Sequence, residues 1–267
     1  MGLSDTEILM PASVDEAVQA FGDGRDVTVL AGGTILMPML AYGRYPQTGR
    51  TLMLARAGLR GIGENGKVTI GAMTTLAELA ASGIEPLAAA ARDVADGEIR
   101  GQATVGGNLC APPSPENPRG DLQAALLAVG AEVRFVAAGG ERTEPVEEFL
   151  ARGGSPPRLA LRVELTRPRR ASWFSQRRPH AHSYAVMAVG CAELDDGVRV
   201  AAAGVGSIAV RLRAVERALA GGAAPEEAAG AALEGLDPPD DALASSWYRG
   251  SVLPVLVRRA IVQLQGG

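Results

Sequence analysis

Apolar and polar positions follow two periods along the chain, and each change of period marks a predicted element. Ser13-Val14-Asp15-Glu16 has the spacing of a capping box. A hydroxyl and a carboxylate there satisfy amides at a helix start, which predicts a short helix to about Phe21, stopped by Gly22-Asp23-Gly24. Asp26 to Leu30 is a short β-branched run and reads as a buried strand. It leads into Ala31-Gly32-Gly33-Thr34, after which apolar Ile35 to Leu40 predicts a short helix with Pro38 near its first turn. Thr51 to Leu54 predicts a further strand, and Arg60 to Gly71 a hairpin turning at Asn65-Gly66. Thr75-Leu76-Ala77-Glu78 is a second capping box, opening a helix that ends near Gly83. Pro86 to Val94 predicts another, alanine-rich helix.

A second glycine pair follows in Thr104-Val105-Gly106-Gly107-Asn108. Pro112, Pro113, Pro115 and Pro118 then make Ala111 to Asp121 stiff, extended and unable to join a sheet. Leu122 to Val129 predicts a helix, Glu132 to Val136 a strand, and Thr143 to Leu150 a turn with a short helix. Leu159 to Leu165 predicts a strand with Leu159, Leu161, Val163 and Leu165 on one side. Arginine-rich stretches at 167–170 and 177–178 bracket a boundary near residue 170. Beyond it come strands over Tyr184 to Glu193 and Val198 to Ala203, turning at Asp195-Asp196-Gly197. Helices are predicted over Arg211 to Ala220, Pro225 to Leu233, Asp241 to Tyr248 and Val252 to Leu264. No repeat of fixed period is present. The pattern gives an α+β chain, with a first unit over 1–170 (parts of about 1–55 and 56–170) and a second over 171–267, a small antiparallel sheet backed by helices.

Composition narrows the function. The 267 residues are 47% hydrophobic and 21% charged, as in globular proteins, and the net charge of -4 argues against a nucleic-acid surface. No run approaches the ~18 apolar residues of a membrane span, and Met1 to Thr6 lacks the regions of a signal peptide. The two cysteines, Cys110 and Cys191, support neither a disulfide framework nor a thiolate-ligated cluster. A cytoplasmic protein is expected, with any redox cluster it serves on another chain.

The two glycine pairs are the strongest candidate chemistry. Each follows or opens a regular element, and glycine lets a backbone approach a pyrophosphate closely. A threonine stands beside each pair, and Asp121 lies downstream to bind sugar hydroxyls. Together they predict a dinucleotide gripped from two sides. Two other glycine patterns are letter matches only. Gly61-Ile62-Gly63-Glu64-Asn65-Gly66 spells the dinucleotide fingerprint but lies in a hairpin. Gly204-Val205-Gly206-Ser207-Ile208-Ala209 reads as a strand-to-helix turn with no further strand to complete a βαβ unit. His180-Ala181-His182 lacks a third convergent metal ligand. No serine or cysteine sits in an activated-nucleophile setting, so any chemistry is expected to be a bound cofactor's.

Ala31-Gly32-Gly33-Thr34, Ile70-Gly71-Ala72-Met73-Thr74-Thr75-Leu76, Ile99-Arg100, Thr104-Val105-Gly106-Gly107-Asn108, Asp121-Leu122 and Gly204-Val205-Gly206 occur in an order that resembles the FAD-binding medium subunit of molybdenum hydroxylases, the carbon monoxide dehydrogenase and xanthine dehydrogenase family. The resemblance spans nearly the whole chain. It implies a vanillyl-alcohol-oxidase-type (PCMH-type) FAD domain of two α/β subdomains, then a small domain of antiparallel sheet and helices. It implies FAD on this chain, contacted by Leu30, Ala31, Gly32, Gly33, Thr34, Ile35, Leu36 and Met37, by Thr104, Val105, Gly106, Gly107 and Asn108, and by Asp121 and Leu161. It also implies a large molybdopterin-binding subunit and a small subunit with [2Fe–2S] clusters, in a dimer of heterotrimers. Electrons would run from molybdenum through the clusters to FAD and an external acceptor. Two departures stand out: Val186 occupies a position where some members have a lysine near the flavin, and the proline-rich loop is longer than usual. The rival readings are a stand-alone flavin oxidase of the vanillyl-alcohol-oxidase class and a non-catalytic subunit without flavin.

Overall fold

The computed structural model describes residues 6–45, 49–112, 120–178 and 185–266. The predicted histidine pair, and most of the proline-rich loop, lie outside them. The chain begins with β1 (Glu7–Leu9), α1 (Val14–Phe21), β2 (Val27–Leu30), α2 (Leu36–Ala41) and β3 (Arg50–Met53). The three strands form a parallel sheet in the order β1-β3-β2. Helix α1 starts where expected, with Ser13 Oγ accepting from Glu16 N at 3.2 Å and the Glu16 carboxylate accepting from Ala12 N at 2.8 Å. Gly22, at φ 60°, ends it.

A second, antiparallel sheet follows in the order β4-β5-β8-β6-β7. Its elements are β4 (Ile62–Asn65), β5 (Lys67–Gly71), α3 (Leu76–Ala81), α4 (Leu87–Asp93), α5 (Gly97–Gln102), α6 (Val105–Leu109), α7 (Leu122–Ala128), β6 (Glu132–Ala137), β7 (Gly140–Pro145), α8 (Val146–Ala151) and β8 (Leu159–Leu165). Strand β7 was not expected, because Gly140–Pro145 is a polar edge strand in which only Glu144 is buried. Without an apolar face, an alternation-based reading has nothing to detect. The expected single apolar face of β8 is also interrupted. A register shift opposite Arg134 and Phe135 turns the strand, so Leu159 and Leu161 pack with Ala17, Phe21 and Leu52, whereas Val163 and Leu165 join the core under α3 to α7. A bulge of this kind reverses which residues face which side. It lets one strand serve two cores, and it ties the parallel sheet to the antiparallel one.

The third sheet, in the order β12-β11-β10-β9, is antiparallel: β9 (Arg170–Arg177), β10 (Ala185–Leu194), β11 (Gly197–Ala203) and β12 (Val210–Arg211). Helices α9 (Arg213–Ala220), α10 (Pro225–Gly230) and α11 (Ser246–Gly266) complete the chain. The arginine-bracketed segment expected to be a boundary is strand β9 itself. The two helices expected over Asp241 to Tyr248 and Val252 to Leu264 are one. Asp241 instead holds a turn, its carboxylate accepting from Leu243 N at 2.8 Å and Ala244 N at 3.1 Å, a local bond that competes with helix. Arg249, Leu253, Leu256, Val257, Ala260, Ile261 and Leu264 make one buried stripe along α11, so packing carries the helix through Pro254. Among the described residues no helix is long and apolar enough to cross a membrane.

The capping box at α3 is complete. The Glu78 carboxylate accepts from Thr75 N at 2.9 Å and Thr75 Oγ1 at 2.8 Å, and pairs with Arg60 at 3.0 Å. Partial burial pushes its pKa up, but the Thr75 and Arg60 contacts outweigh this and hold it below the ordinary 4.5. A carboxylate depressed in the folded state stabilises the fold above its unfolded pKa, and that contribution is lost as pH falls through the lowered value. Glu78→Gln is therefore expected to be less stable than the parent at pH 7, with the gap narrowing as pH falls below the ordinary carboxylate range. Urea midpoints along a descending pH series measure it; a gap that does not narrow with acidification contradicts the account.

Candidate cofactor site

The C-terminal end of β2, the N-terminus of α6 and the first residues of β8 surround a cavity of about 310 Å³, within the usual size range of ligand sites. Its walls are mostly apolar, with Thr34, Tyr45, Thr104, Asn108, Asp121 and Arg158 among the polar exceptions.

The first glycine pair forms one wall. Gly33 adopts φ 74°, a conformation that glycine enters freely, and the chain reverses there into α2. Among the described residues, the amides of Gly32, Gly33, Thr34, Ile35 and Leu36 have no acceptor; the first internal bond of the turn is Met37 N to Gly33 O at 2.9 Å. A change of backbone hand with several unspent amides is the geometry of an anion-binding nest. Gly32 has a different task. A Cβ added there would fall inside the Gln102 carbonyl oxygen and 3.1 Å from Ala103 Cα, so only glycine lets β2 reach the link between α5 and α6.

The second pair works otherwise than expected. Its amides are already engaged: Val105 N with Thr74 O at 2.9 Å, Gly106 N with Ala72 O at 2.8 Å, Asn108 N with Thr104 O at 2.9 Å, and Gly107 N with Thr104 Oγ1 at 3.1 Å. Gly106 allows close packing, since an added Cβ would lie 2.8 Å from Ala72 Cβ and 3.0 Å from Ala72 O. The Thr104 hydroxyl is buried and accepts from Gly107 N, and among the described residues its own proton has no acceptor. It is the donor that this wall offers a ligand.

Asn108 faces the cavity from α6 but spends its side-chain oxygen on α7, accepting from Leu122 N at 2.8 Å in a buried setting. Gln123 Nε2 donates to Leu109 O at 3.0 Å beside it. These bonds hold Asp121, 5% exposed, at the cavity wall. Asn108→Ala is expected to cost about 1–2 kcal/mol, the usual effect of leaving a buried helix-end amide unsatisfied. A denaturant midpoint unchanged from the parent's would refute that role.

Of the residues expected from sequence, Ala31, Gly32, Gly33, Thr34, Ile35, Leu36, Thr104, Gly106, Gly107, Asn108 and Asp121 line the cavity. Leu30, Met37, Val105 and Leu161 do not. Met37 is 52% exposed on the outer side of α2, Val105 is buried in the core under α3 to α7, and Leu161 is buried beside α1. The Leu161 carbonyl does touch the site indirectly, accepting from Ala72 N at 2.9 Å.

Several lining residues were not among the expected contacts: Tyr45, Val94-Ala95, and Arg158 with Leu159 and Ala160. They are apolar or single residues from separate elements, with no motif to flag them. The Ala72-Met73 turn also lines the cavity; it lies within Ile70 to Leu76, a stretch that carried the resemblance but was assigned no contact. Arg158 is nearly buried, its guanidinium 3.8 Å above the Phe149 ring centre and donating to Phe149 O at 2.9 Å. Burial lowers its pKa, and the Cys110 thiol and the Glu144 carboxylate partly restore it.

The match to known proteins agrees with this geometry. The model of the FAD binding domain in molybdopterin dehydrogenase matches residues 4–165, and that of the CO dehydrogenase flavoprotein C-terminal domain matches residues 172–264. The carbon monoxide dehydrogenase medium chain of Hydrogenophaga pseudoflava is 30% identical, over 94% of this chain and 94% of that protein. The 6-hydroxypseudooxynicotine dehydrogenase complex subunit alpha of Paenarthrobacter nicotinovorans is 28% identical over 94% and 91%. Among solved structures, a carbon monoxide dehydrogenase from Hydrogenophaga pseudoflava superimposes with a TM-score of 0.85 at 29% identity, over 100% of this chain and 99% of that one. The Gly61 to Gly66 pattern lies on an exposed hairpin, and Gly204-Val205-Gly206 is followed by β12 and not by the helix expected from its sequence. Neither belongs to the cavity's glycine loops. The chain belongs to the FAD-binding medium subunits of the molybdopterin dehydrogenase family.

Proposed function

We propose that this chain holds FAD in the cavity described above and serves as the electron-transfer subunit of a molybdenum-dependent hydroxylase or dehydrogenase. The observation that carries the reading is the row of unspent amides from Gly32 to Leu36 opposite the unspent Thr104 hydroxyl proton. An anionic group flanked by such donors needs no arginine, because backbone N–H dipoles supply the positive end. The Asp121 carboxylate is placed to accept from sugar hydroxyls. The apolar walls exclude water from a planar ring system.

When bound, FAD supplies the redox chemistry, accepting reducing equivalents from a partner's clusters and releasing them to an external acceptor. The protein's part is to bind and orient it. Among the described residues no side chain is arranged as an activated nucleophile. Cys191 is buried in β10, where burial pushes its thiol up to about 12. The described residues hold no group of three or more His, Cys, Asp or Glu able to bind a metal. Membership of the medium-subunit family supports assigning molybdopterin and [2Fe–2S] clusters to a large and a small partner subunit, and we place the assembly as a dimer of heterotrimers within the cytoplasm. We divide the chain into an FAD domain over 1–170, with parts of about 1–55 and 56–170, and a C-terminal domain over 171–267. The membership of three separate sheets supports the division.

The test is to purify the tagged chain together with its partners, then separate them. Flavin is expected to stay with this chain, while molybdenum and iron leave with the partners. The separated, reduced chain should show no electron-paramagnetic signal of an iron–sulfur cluster. Iron retained tightly by the isolated chain refutes the assignment.

A further inference from the structure

The cavity wall at Val94-Ala95 is built in an unusual way. Both residues are buried and line the cavity, yet Ala95 adopts φ 42°, a left-handed conformation that non-glycine residues seldom occupy. Such a conformation persists only where the surroundings impose it. One restraint comes from within the FAD-binding half: Arg100 Nη1 donates to Val94 O at 2.8 Å and to Ala95 O at 3.1 Å. The other comes from the C-terminal sheet. The Asp93 carboxylate accepts from Trp173 Nε1 at 2.8 Å and from Ser175 Oγ at 2.7 Å. Arg177 Nη2 donates to Ala95 O at 3.4 Å.

Trp173, Ser175 and Arg177 alternate along β9, so they share one face of that edge strand. The intervening residues serve the other face. Phe174 packs in the C-terminal core, and Ser172 Oγ donates to Ala260 O of α11 at 2.7 Å. Strand β9 thus has one side committed to its own domain and the other to the three residues that end α4 and form the cavity wall.

We infer that Asp93 is a positioning residue for FAD. By fastening the end of α4 to Trp173 and Ser175 of β9, it fixes the Val94-Ala95 wall, so the C-terminal sheet sets the affinity of a cavity that its own residues do not line. This rests on the reading of the cavity as an FAD site. Both bonds end on a single carboxylate oxygen, which a carboxamide oxygen can replace. The charge is dispensable and the acceptor is not.

The experiment is an FAD titration of the apo-protein, followed by flavin fluorescence and the visible absorption band, with apo-protein melting measured in parallel. Asp93→Ala is expected to raise the FAD dissociation constant roughly tenfold, as for loss of a buried hydrogen-bond acceptor, and to shift the visible band. Asp93→Asn should bind like the parent. Trp173→Phe combined with Ser175→Ala leaves the acceptor in place, keeps an aromatic ring in the interface, and should reproduce the alanine effect. Adding Asp93→Ala to that pair should change the dissociation constant little further. Parent-like FAD affinity and spectrum in the variants, with only melting lowered, would overturn the inference. So would an asparagine variant as impaired as the alanine one. Failure of the parent protein to take up FAD would overturn the cofactor reading, and this inference with it.

Discussion

Gly32→Ala is expected to abolish FAD binding and to destabilise the protein by about 2 kcal/mol or more, in the range of overpacked cores. The added methyl would point at backbone, the Gln102 carbonyl and Ala103 Cα, not at the movable end of a side chain. Relief requires the loop after β2 to back away from the α5–α6 link. That movement would displace the amides of Gly32 to Leu36 from the wall they share with Thr104. Loss of cofactor and loss of stability should therefore appear together, read by flavin absorbance after gel filtration and by the urea midpoint. A stable variant with full flavin content would show that the close approach is not needed.

Gly107→Val is expected to separate the two effects. Gly107 is half-buried on α6 and lines the cavity. An added Cβ would stand 3.0 Å from Thr104 Oγ1 and 3.9 Å from Ala31 Cβ, bridging the two glycine loops. The valine methyls would extend into the space where a ligand passes between those loops, and the Cβ itself meets side chains and no backbone outside α6. Flavin content should fall to background with stability lowered by about 1 kcal/mol or less, since only the Thr104 hydroxyl has to give way. Retained flavin would contradict the placement of the cofactor between the loops. The contrast between Gly32 and Gly107 distinguishes a glycine required by packing from one required by the ligand.

Much of this was legible in the sequence where the signal is local. The caps at Ser13 and Thr75, the Asn65-Gly66 turn, and the strand, glycine pair and short helix from Val27 to Ala41 are all decided within a few residues. The cavity's two glycine loops were found for the same reason. What was not legible depends on distant partners. Strand β7 has no apolar face of its own and exists because β6 offers it an edge. The bulge in β8 divides Leu159 and Leu161 from Val163 and Leu165 only because two cores meet on that strand. Helix α11 starts only after the Asp241 turn and runs through Pro254 according to what it packs against. The division of labour between the glycine pairs is likewise tertiary. The Val105 and Gly106 amides are spent on Thr74 and Ala72, more than thirty residues away, whereas only the Gly107 and Asn108 amides are engaged locally, by Thr104. Arg158 and the Val94-Ala95 wall complete the site without any motif.

The central claim is that this chain is a specific FAD holder. It is tested most directly by adding FAD to the purified apo-chain and following flavin absorbance that remains with the protein after gel filtration. Saturable uptake at an equimolar ratio, absent in Gly107→Val, is the predicted result. A folded parent chain that stays colourless after incubation with excess FAD would contradict it.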